Sequence, residues 1–160
     1  MKAAIVMGSK SDYPIVQKAE NLLKEFGVEC ETRIISAHRT PATAAEFAAG
    51  AEEKGIEVII AAAGMAAHLA GVLAAFTTLP VIGIPMKSDA LSGLDALLSM
   101  VQMPKGVPVA VVAIDGAENA GLLAVQILSL KYPQLREEMK KYKKKMEEAV
   151  TALDKEMLES

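Results

Sequence analysis

The chain has 160 residues, the length of a single domain, and 17 basic against 20 acidic side chains give it a formal net charge of −3. This mildly acidic balance argues against a nucleic-acid-binding surface, and a hydrophobic content of 52% excludes a disordered chain. Cys30 is the only cysteine, so no internal disulfide can form and a reducing compartment is expected.

Neither an export signal nor a membrane span is expected from the apolar segments. The apolar run near the start is short and is followed by Gly8, Ser9 and Lys10 rather than by a cleavage site. The longest stretch of low charge, residues 58–86, is interrupted by glycines, prolines and His68, whereas a span needs about 20 mainly apolar residues. We therefore expect a cytoplasmic protein with no membrane or nucleic-acid partner.

Five short, continuously apolar runs recur along the chain with helical stretches between them. Their starts lie 22 to 29 residues apart, which fits a repeating strand–helix–strand unit. Strands that are buried on both faces of a parallel sheet have this unbroken apolar character. The pattern predicts an α/β fold with a parallel sheet of about five strands. The predicted strands are residues 3–7, 32–35, 58–62, 80–84 and 108–114.

Two helices are predicted between the first three strands. The first, residues 15–26, has an apolar face at helical spacing and ends at Gly27. The second, residues 42–54, begins after Thr40 and Pro41, a usual pair for the N-cap and the first helical position.

Two later helices, residues 65–76 and 120–130, contain no acidic residue, no lysine and no arginine. A helix that is apolar all round must be buried on all sides, and one domain of this size rarely has an interior deep enough for two. We therefore expect both helices to be buried between the subunits of an oligomer.

The C-terminal segment changes character, because residues 131–160 hold 8 basic and 7 acidic side chains. Apolar side chains recur at steps of three and four from Leu135 onward, which predicts a long amphipathic helix that begins near Pro133. This helix either belongs to the domain formed by residues 1–130 or packs on a neighbouring subunit. The lysine cluster at 140–145 is interpreted as a solvated face, with an anion-binding patch as the alternative.

Polar segments follow the carboxyl ends of the predicted strands, where parallel α/β sheets bind their ligands. Both histidines of the chain, His38 and His68, lie in these segments, and this coincidence marks the edge as the candidate site. The segments read GSKSD, SAHRTP, AGMAAH, MKSD and DGAEN, starting at residues 8, 36, 63, 86 and 115.

The first of these segments joins a strand to a helix and suits an anion such as phosphate. The hydroxyls of Ser9 and Ser11 can donate hydrogen bonds, and a helix N-terminus favours negative charge. The segment is neither a Walker A loop nor the dinucleotide pattern GxGxxG. The alternative interpretation is a capped helix start with Asp12 as the N-cap.

The second segment places a proton carrier, His38, beside a fixed cation, Arg39. Histidine can both give and take a proton near neutral pH, and the arginine guanidinium is a planar fork for phosphate or carboxylate. The alternative is an exposed loop histidine without a role.

The third segment is rich in glycine and alanine, and small residues around Gly64 would let backbone donors reach a flat ligand. His68 is either catalytic or a polar group that is satisfied at a subunit contact. No metal site is expected, because the chain has one cysteine and no carboxylate at ligand spacing from either histidine. The GxSxG elbow of a serine nucleophile is also absent.

Six segments in the same order resemble the 5-(carboxyamino)imidazole ribonucleotide mutase family of purine biosynthesis. They read MGSKSD, SAHRTP, AAGMAAHLAG, LPVIGIP, LSGLDALLSMVQMPKGVPVA and NAGLLAVQIL, and the resemblance covers residues 3–130. It implies a flavodoxin-like three-layer α/β sandwich with a catalytic domain over residues 1–130. It also implies a homo-octamer with sites at subunit contacts, a small ribonucleotide substrate, and neither a metal nor an organic cofactor.

The resemblance assigns His38 as the general acid/base in a reaction that moves a carboxylate from the exocyclic nitrogen to ring carbon 4 through trapped carbon dioxide. It also implies a set of substrate-binding residues. They are Ser9, Ser11 and Asp12 for phosphate and ribose, Ser36 and Arg39 for phosphate, and Gly64, Ala66, His68 and Leu69 around the imidazole and the migrating carboxylate.

Two residues depart from the family pattern, because Met65 stands where a glycine is usual and Ala70 where a proline is usual. If position 65 needs a positive φ, Met65 would carry backbone strain. Two other functions stay open: a carboxylase that uses free carbon dioxide, and a non-catalytic nucleotide-binding module. Direct carboxylation is disfavoured, because the animal-type carboxylases have lysine where this chain has Arg39 and an AGRSNALSG-like segment where it has GMAAHLAG.

Overall fold

The computed structural model describes residues 1–159 and places the apolar runs in one five-stranded sheet. The strands are β1 (Lys2–Met7), β2 (Glu29–Ile34), β3 (Val58–Gly64), β4 (Val81–Met86) and β5 (Ala110–Val111). They are all parallel, in the order β2-β1-β3-β4-β5, so each connection crosses over the sheet. The predicted α/β fold with a parallel sheet of five strands is confirmed.

Six helices cover the two faces of the sheet. They are α1 (Tyr13–Glu25), α2 (Pro41–Ala49), α3 (Leu69–Phe76), α4 (Leu94–Val101), α5 (Ala117–Leu128) and α6 (Pro133–Leu158). The second predicted helix divides into α2 and a 3₁₀ turn, Glu52–Lys54, which ends at Gly55. α3 begins at Leu69 rather than at residue 65, because Met65 has a positive φ of 57°.

α4 is an addition to the predicted set, and it follows Ser92 and Gly93, which both have positive φ. β5 covers only the middle of the predicted run 108–114. It lies at the edge of the sheet and pairs with β4 alone, so ladder hydrogen bonds support it from one side.

The core forms two layers, one on each face of the sheet, because successive strand residues point to opposite faces. Ile5 and Ile60 pack with α1, α5 and the first part of α6. Val6 and Ile59 pack on the other face with residues of α2, α3 and α4. This is the flavodoxin-like three-layer sandwich, and it directs the carboxyl ends of the strands to one edge.

α5 is covered largely by its own chain, so its burial does not require another subunit, and a subunit contact at α5 stays a prediction. It packs on α1 and α6, and Ala120, Ala124 and Val125 are fully buried. The helix also begins before residue 120 and includes Glu118, which is exposed. Part of its apolar surface stays accessible, since Leu122, Leu123 and Ile127 are only partly buried and Leu130, just beyond its end, is 79% exposed.

α6 begins at Pro133, as predicted, and only its first part packs on the domain. Leu135 and Met139 are buried, and the Tyr142 ring lies 5.8 Å from the ring of Phe26. Beyond this point the apolar side chains are exposed, and within residues 1–159 no helix is long and apolar enough to cross a bilayer.

The lysine cluster of α6 takes part in local ion pairs. Lys140 and Lys141 pair at 2.7 Å with Glu137 and Glu138, three residues earlier on the helix. These contacts fit the solvated-face interpretation better than an anion-binding patch, because the nearest carboxylates already neutralise part of the charge.

Cys30 lies at the start of β2, away from the edge that carries the candidate site. Its Sγ atom is 3.8 Å from Thr32 Oγ1, and burial raises the pKa of the thiol to about 11. A thiol that stays protonated at neutral pH is a poor nucleophile, so Cys30 is a small, partly buried residue packed against the core rather than a reactive one.

Candidate active site

A pocket of about 560 Å³ opens at the carboxyl ends of β1, β2, β3 and β4. Loops from all four strands form its walls, and its volume lies in the range of small-molecule sites. The structure brings every predicted site residue to this one pocket, while their individual roles stay predictions. The lining includes Ser9, Ser11, Asp12, Ser36, His38, Arg39, Gly64, Ala66, His68 and Leu69.

The loop after β1 turns through a short 3₁₀ helix, Lys10–Asp12, before α1 begins. Ser9 Oγ accepts a hydrogen bond from the Ser11 backbone N at 3.3 Å, and the Ser11 Oγ atom lies 2.8 Å from it. Asp12 occupies the N-cap position of α1, but its carboxylate makes no capping hydrogen bond. The capped-start interpretation is therefore wrong for the Asp12 side chain, which lines the pocket instead.

The loop after β2 holds Arg39 against the loop after β1. Arg39 Nη2 donates to the Gly8 carbonyl oxygen at 2.8 Å, and Arg39 Nε donates to Ser36 Oγ at 3.4 Å. The Thr40 hydroxyl accepts from Ser36 N and donates to Ser36 O, so it closes this loop rather than capping α2. A fixed guanidinium thus stands beside the serine hydroxyls of the neighbouring loop.

The two histidines of the chain contact each other directly. His38 Nε2 lies 2.9 Å from His68 Nδ1, and the ring centroids are 4.9 Å apart with the planes at 78°. Only one nitrogen of this pair can carry the bridging hydrogen in the neutral state, so the contact couples the tautomers of the two rings. The His68 Nδ1 atom is thus satisfied within the chain, while the role of His68 stays a prediction.

Comparison with protein families shows which family has this fold. A family model described as AIR carboxylase matches residues 2–149, which is most of the chain. The chain belongs to the AIR carboxylase family.

Curated relatives in this family share more than half of their aligned residues with the chain. A protein of Pyrococcus abyssi is 61% identical over 145 residues, which are 91% of this chain and 83% of that protein. A protein of Thermotoga maritima is 55% identical over 149 residues, which are 93% and 87% of the two chains. Both relatives carry the name N5-carboxyaminoimidazole ribonucleotide mutase.

Solved structures show the same fold. A PurE2 variant of Treponema denticola superposes with a TM-score of 0.86 at 30% identity, covering 97% of this chain and 96% of that one. PurE of the same organism has a TM-score of 0.83 at 31% identity, with 93% of each chain covered. The AIR carboxylase fold therefore extends over nearly the whole chain, including α6.

Within this family fold, Met65 has the strained backbone that the sequence comparison predicts. Its φ is 57°, in the left-handed region, where glycine is at ease and other residues are not. The side chain is 64% exposed, so packing offsets little of the strain. Met65 lines the pocket between Gly64 and Ala66.

We expect Met65→Gly to stabilise the protein by about 0.5–1 kcal/mol, because relief of a left-handed conformation outweighs the added freedom of the unfolded chain. Met65→Ala is the matched control, since it removes the same exposed side chain and keeps the strain. Urea unfolding midpoints of the two variants check the prediction. An alanine variant as stable as the glycine variant would contradict it.

The Asp12 carboxyl is half-buried, and burial raises its pKa above the usual range. Hydrogen bonds from Ser11 and from the Ser9 loop lower the pKa, and the charge of Asp115 raises it further. The net direction means that the fold holds the Asp12 proton more tightly than the unfolded chain does.

Asp12→Asn is therefore expected to stabilise the ligand-free protein at neutral pH and to leave stability unchanged near pH 3. The cost of the buried charge develops as the pH rises from the unfolded-state pKa to the folded-state pKa, is complete above the folded-state pKa, and disappears where both states are protonated. Asp89→Asn is the control, because this exposed carboxylate gives the same change in net charge. Urea unfolding midpoints at neutral pH and near pH 3 check this prediction. An equal gain in stability at both pH values would contradict it.

Three lining residues at the end of β4 and directly after it have no role in the sequence-based assignment: Met86, Lys87 and Ser88. Their position after the fourth apolar run is the signal that could have found them. Lys87 N donates to Asp115 Oδ1 at 2.9 Å, which ties this loop to the start of α5. In the described residues, no group of three or more His, Cys, Asp or Glu side chains could hold a metal ion.

Proposed function

We propose that the chain is a purine-biosynthetic mutase that converts 5-carboxyamino-1-(5-phospho-D-ribosyl)imidazole into 5-amino-1-(5-phospho-D-ribosyl)imidazole-4-carboxylate. The observation that carries the proposal is the His38–His68 contact on the wall of a pocket that also holds serine hydroxyls and Arg39. The curated relatives with more than half of their residues identical are named as mutases of this substrate.

The phosphate is bound at the β1 and β2 ends of the pocket. Ser9, Ser11 and Ser36 offer hydroxyls there, and Arg39 offers the remaining donors of its guanidinium fork. Asp12, at the N-terminus of α1, is placed to accept hydrogen bonds from the ribose hydroxyls. The imidazole then lies toward the loop after β3.

The reaction conserves every atom of the nucleotide. The bond between the exocyclic nitrogen and the carboxylate carbon breaks and carbon dioxide leaves. The electron pair of the broken bond stays on the exocyclic nitrogen of the aminoimidazole. Ring carbon 4 then attacks the carbon dioxide, and the proton on carbon 4 departs. One proton reaches the exocyclic nitrogen and one leaves carbon 4, so a single imidazole that first donates and then accepts returns to its starting state.

His38 is the proton carrier in this scheme, and His68 holds its ring. A hydrogen bond of 2.9 Å between the two imidazoles fixes which nitrogen of His38 is free to face the substrate. Gly64 and Ala66 give the adjacent wall small side chains, which leaves space for carbon dioxide beside the ring.

Retention of carbon dioxide needs a closed site, and assembly into a homo-octamer supplies the cover. Apolar side chains are exposed at the end of α3 and along α4, where Phe76, Leu94 and Leu98 are 51%, 51% and 47% exposed. Exposed large apolar side chains of this kind are typical of subunit contacts. The exposed half of α6, with Val150 at 67%, packs on a neighbouring subunit in the same assembly.

Light scattering at micromolar concentration is expected to give eight times the chain mass of 16.9 kDa. Leu98→Glu should lower the mass, because it places a charge in the middle of the α4 surface, whereas Gln17→Glu, which adds the same charge at an exposed residue of α1, should leave the mass unchanged. A wild-type monomer would contradict the assembly.

We place the enzyme in the cytoplasm, together with the reduced Cys30 thiol.

The proposed reaction is tested by supplying two substrates separately to the purified protein. The carboxyamino nucleotide should yield the 4-carboxylate without added carbon dioxide, as followed by ultraviolet absorbance. Product formation only from aminoimidazole ribonucleotide and free carbon dioxide would establish a carboxylase instead. Nucleotide binding with no isomerisation would establish a non-catalytic module.

A further inference from the structure

The pocket has a second cation, Lys87, at the opposite end from Arg39. Arg39 follows β2 and Lys87 follows β4, with β1 and β3 between these strands. Three strand spacings place the two strand ends roughly 14 Å apart. The pocket therefore presents positive charge at both ends, although the phosphate site accounts for only one of them.

The backbone at Lys87 is held in place. Its N–H donates to the Asp115 carboxylate at 2.9 Å, and the Asp115 N–H donates to the Pro85 carbonyl oxygen at 2.9 Å. Asp115 has a positive φ of 56°, a conformation that persists only where the surroundings enforce it. These two hydrogen bonds fix the end of β4 and the start of the loop that lines the pocket.

The Lys87 ammonium has no carboxylate within ion-pair distance in the described part of the chain, although the Asp115 carboxylate accepts a hydrogen bond from the Lys87 backbone. The Lys87 side chain is exposed on the pocket side. Arg39, by contrast, already donates to a backbone carbonyl oxygen. Of the two cations, Lys87 therefore has more of its donors available for a ligand.

Ser88 is a second, independent sign of a polar contact at this end. Its Oγ atom is buried and has no hydrogen-bond partner among the described residues, although Ser88 lines the pocket. A buried hydroxyl without a partner is costly, and native structures seldom leave one unsatisfied. The end of the pocket after β4 therefore carries a lysine without an ion pair and, in the next residue, a hydroxyl without a hydrogen-bond partner.

We propose that Lys87, supported by Ser88, binds the carboxylate at the imidazole end of the nucleotide and gives the pocket its preference for carboxylated over uncarboxylated nucleotides. This inference rests on the proposed function. The substrate and the product both carry an anionic carboxylate at the ring, whereas aminoimidazole ribonucleotide has only its phosphate. Lys87 contributes to affinity only where a ring carboxylate is present.

The test compares equilibrium binding of two nucleotides to Lys87→Met and Lys87→Arg in the full-length protein by calorimetry. Methionine keeps an unbranched side chain without the charge, and arginine keeps the charge. For Lys87→Met we expect roughly tenfold weaker binding of the 4-carboxylate nucleotide and unchanged binding of aminoimidazole ribonucleotide. Lys87→Arg should retain most of the affinity for the carboxylate.

Equal weakening for both nucleotides would place Lys87 at the phosphate and overturn the proposal, and so would unchanged binding of both. Ser88→Ala should show the same selective loss with an unchanged urea midpoint; a lowered midpoint with unaltered binding would make Ser88 structural and remove it from the site. Binding is read without turnover, so a wild-type protein that binds both nucleotides but does not isomerise them would refute the mutase and leave the Lys87 result intact.

Discussion

Replacing His38 by asparagine is expected to lower the rate of carboxylate transfer by roughly 10²–10⁴-fold and to leave nucleotide affinity nearly unchanged. Asparagine keeps a polar side chain at the position but cannot carry the proton that must leave ring carbon 4. In the proposed binding mode, Arg39 and the serine hydroxyls hold the phosphate, and the hydrogen bonds that position Arg39 do not involve the imidazole. Turnover and calorimetric binding, measured on the same preparation, separate the two effects.

His68→Asn is the matched control for this experiment. It removes the partner ring at 2.9 Å but leaves the proton carrier in place, so a smaller loss of turnover with an altered pH–rate profile is expected. Both rings are exposed, so neither substitution should change the free energy of unfolding, measured in urea, by more than about 0.5 kcal/mol. Wild-type turnover in His38→Asn would remove His38 from the mechanism.

Arg39→Met is expected to raise KM roughly 10- to 100-fold with a smaller change in kcat. Charge-assisted hydrogen bonds from a guanidinium to phosphate strengthen substrate binding, and the phosphate does not change during the reaction. Steady-state kinetics with the carboxyamino nucleotide give both parameters. The KM of Arg39→Lys should lie between the values of the wild-type protein and of Arg39→Met, because lysine keeps the charge and loses the planar fork.

Arg33→Met provides the control for charge. Arg33 lies in β2, outside the pocket, and is also partly exposed, with its guanidinium 3.4 Å from Glu31. It should leave KM unchanged. A collapse of kcat in Arg39→Met at constant KM would mean that Arg39 acts on the reacting atoms rather than on the phosphate.

The sheet and the edge that carries the site could be predicted from the sequence, because both follow from local patterns. Strands that are buried on both faces must be continuously apolar, and the polar segments that follow them then meet at one edge. β3 and β4 are buried along nearly their whole length, and their runs are the clearest in the chain. β5, an edge strand with one neighbour, is shorter than its apolar run.

The contact between the two histidines could not be predicted from spacing alone. His38 and His68 are 30 residues apart, and their rings meet because the strand order places the ends of β2 and β3 only two strand spacings apart, with β1 between them. Strand order is a property of the whole fold. The unsatisfied Ser88 hydroxyl is invisible in the sequence for the same reason, because burial depends on the elements packed around the loop.

The cover of α5 shows where a local argument was incomplete. A helix without charged residues was expected to need another subunit, but α1 and α6 cover most of α5 within the chain, and a subunit contact at the rest stays a prediction. α6 itself provides part of this cover through Leu135 and Met139. Counting helices without counting the amphipathic faces available to them underestimated the interior of this domain.

The most direct test of the central claim follows the migrating carboxylate itself. The carboxyamino nucleotide, labelled with ¹³C in its carboxylate, is converted by the purified protein in buffer that contains an excess of unlabelled bicarbonate and carbonic anhydrase. Mass spectrometry of the 4-carboxylate product should show that the label is retained, because carbon dioxide stays in the pocket beside His38 until carbon 4 attacks it. Product that carries unlabelled carbon from the buffer would contradict the account.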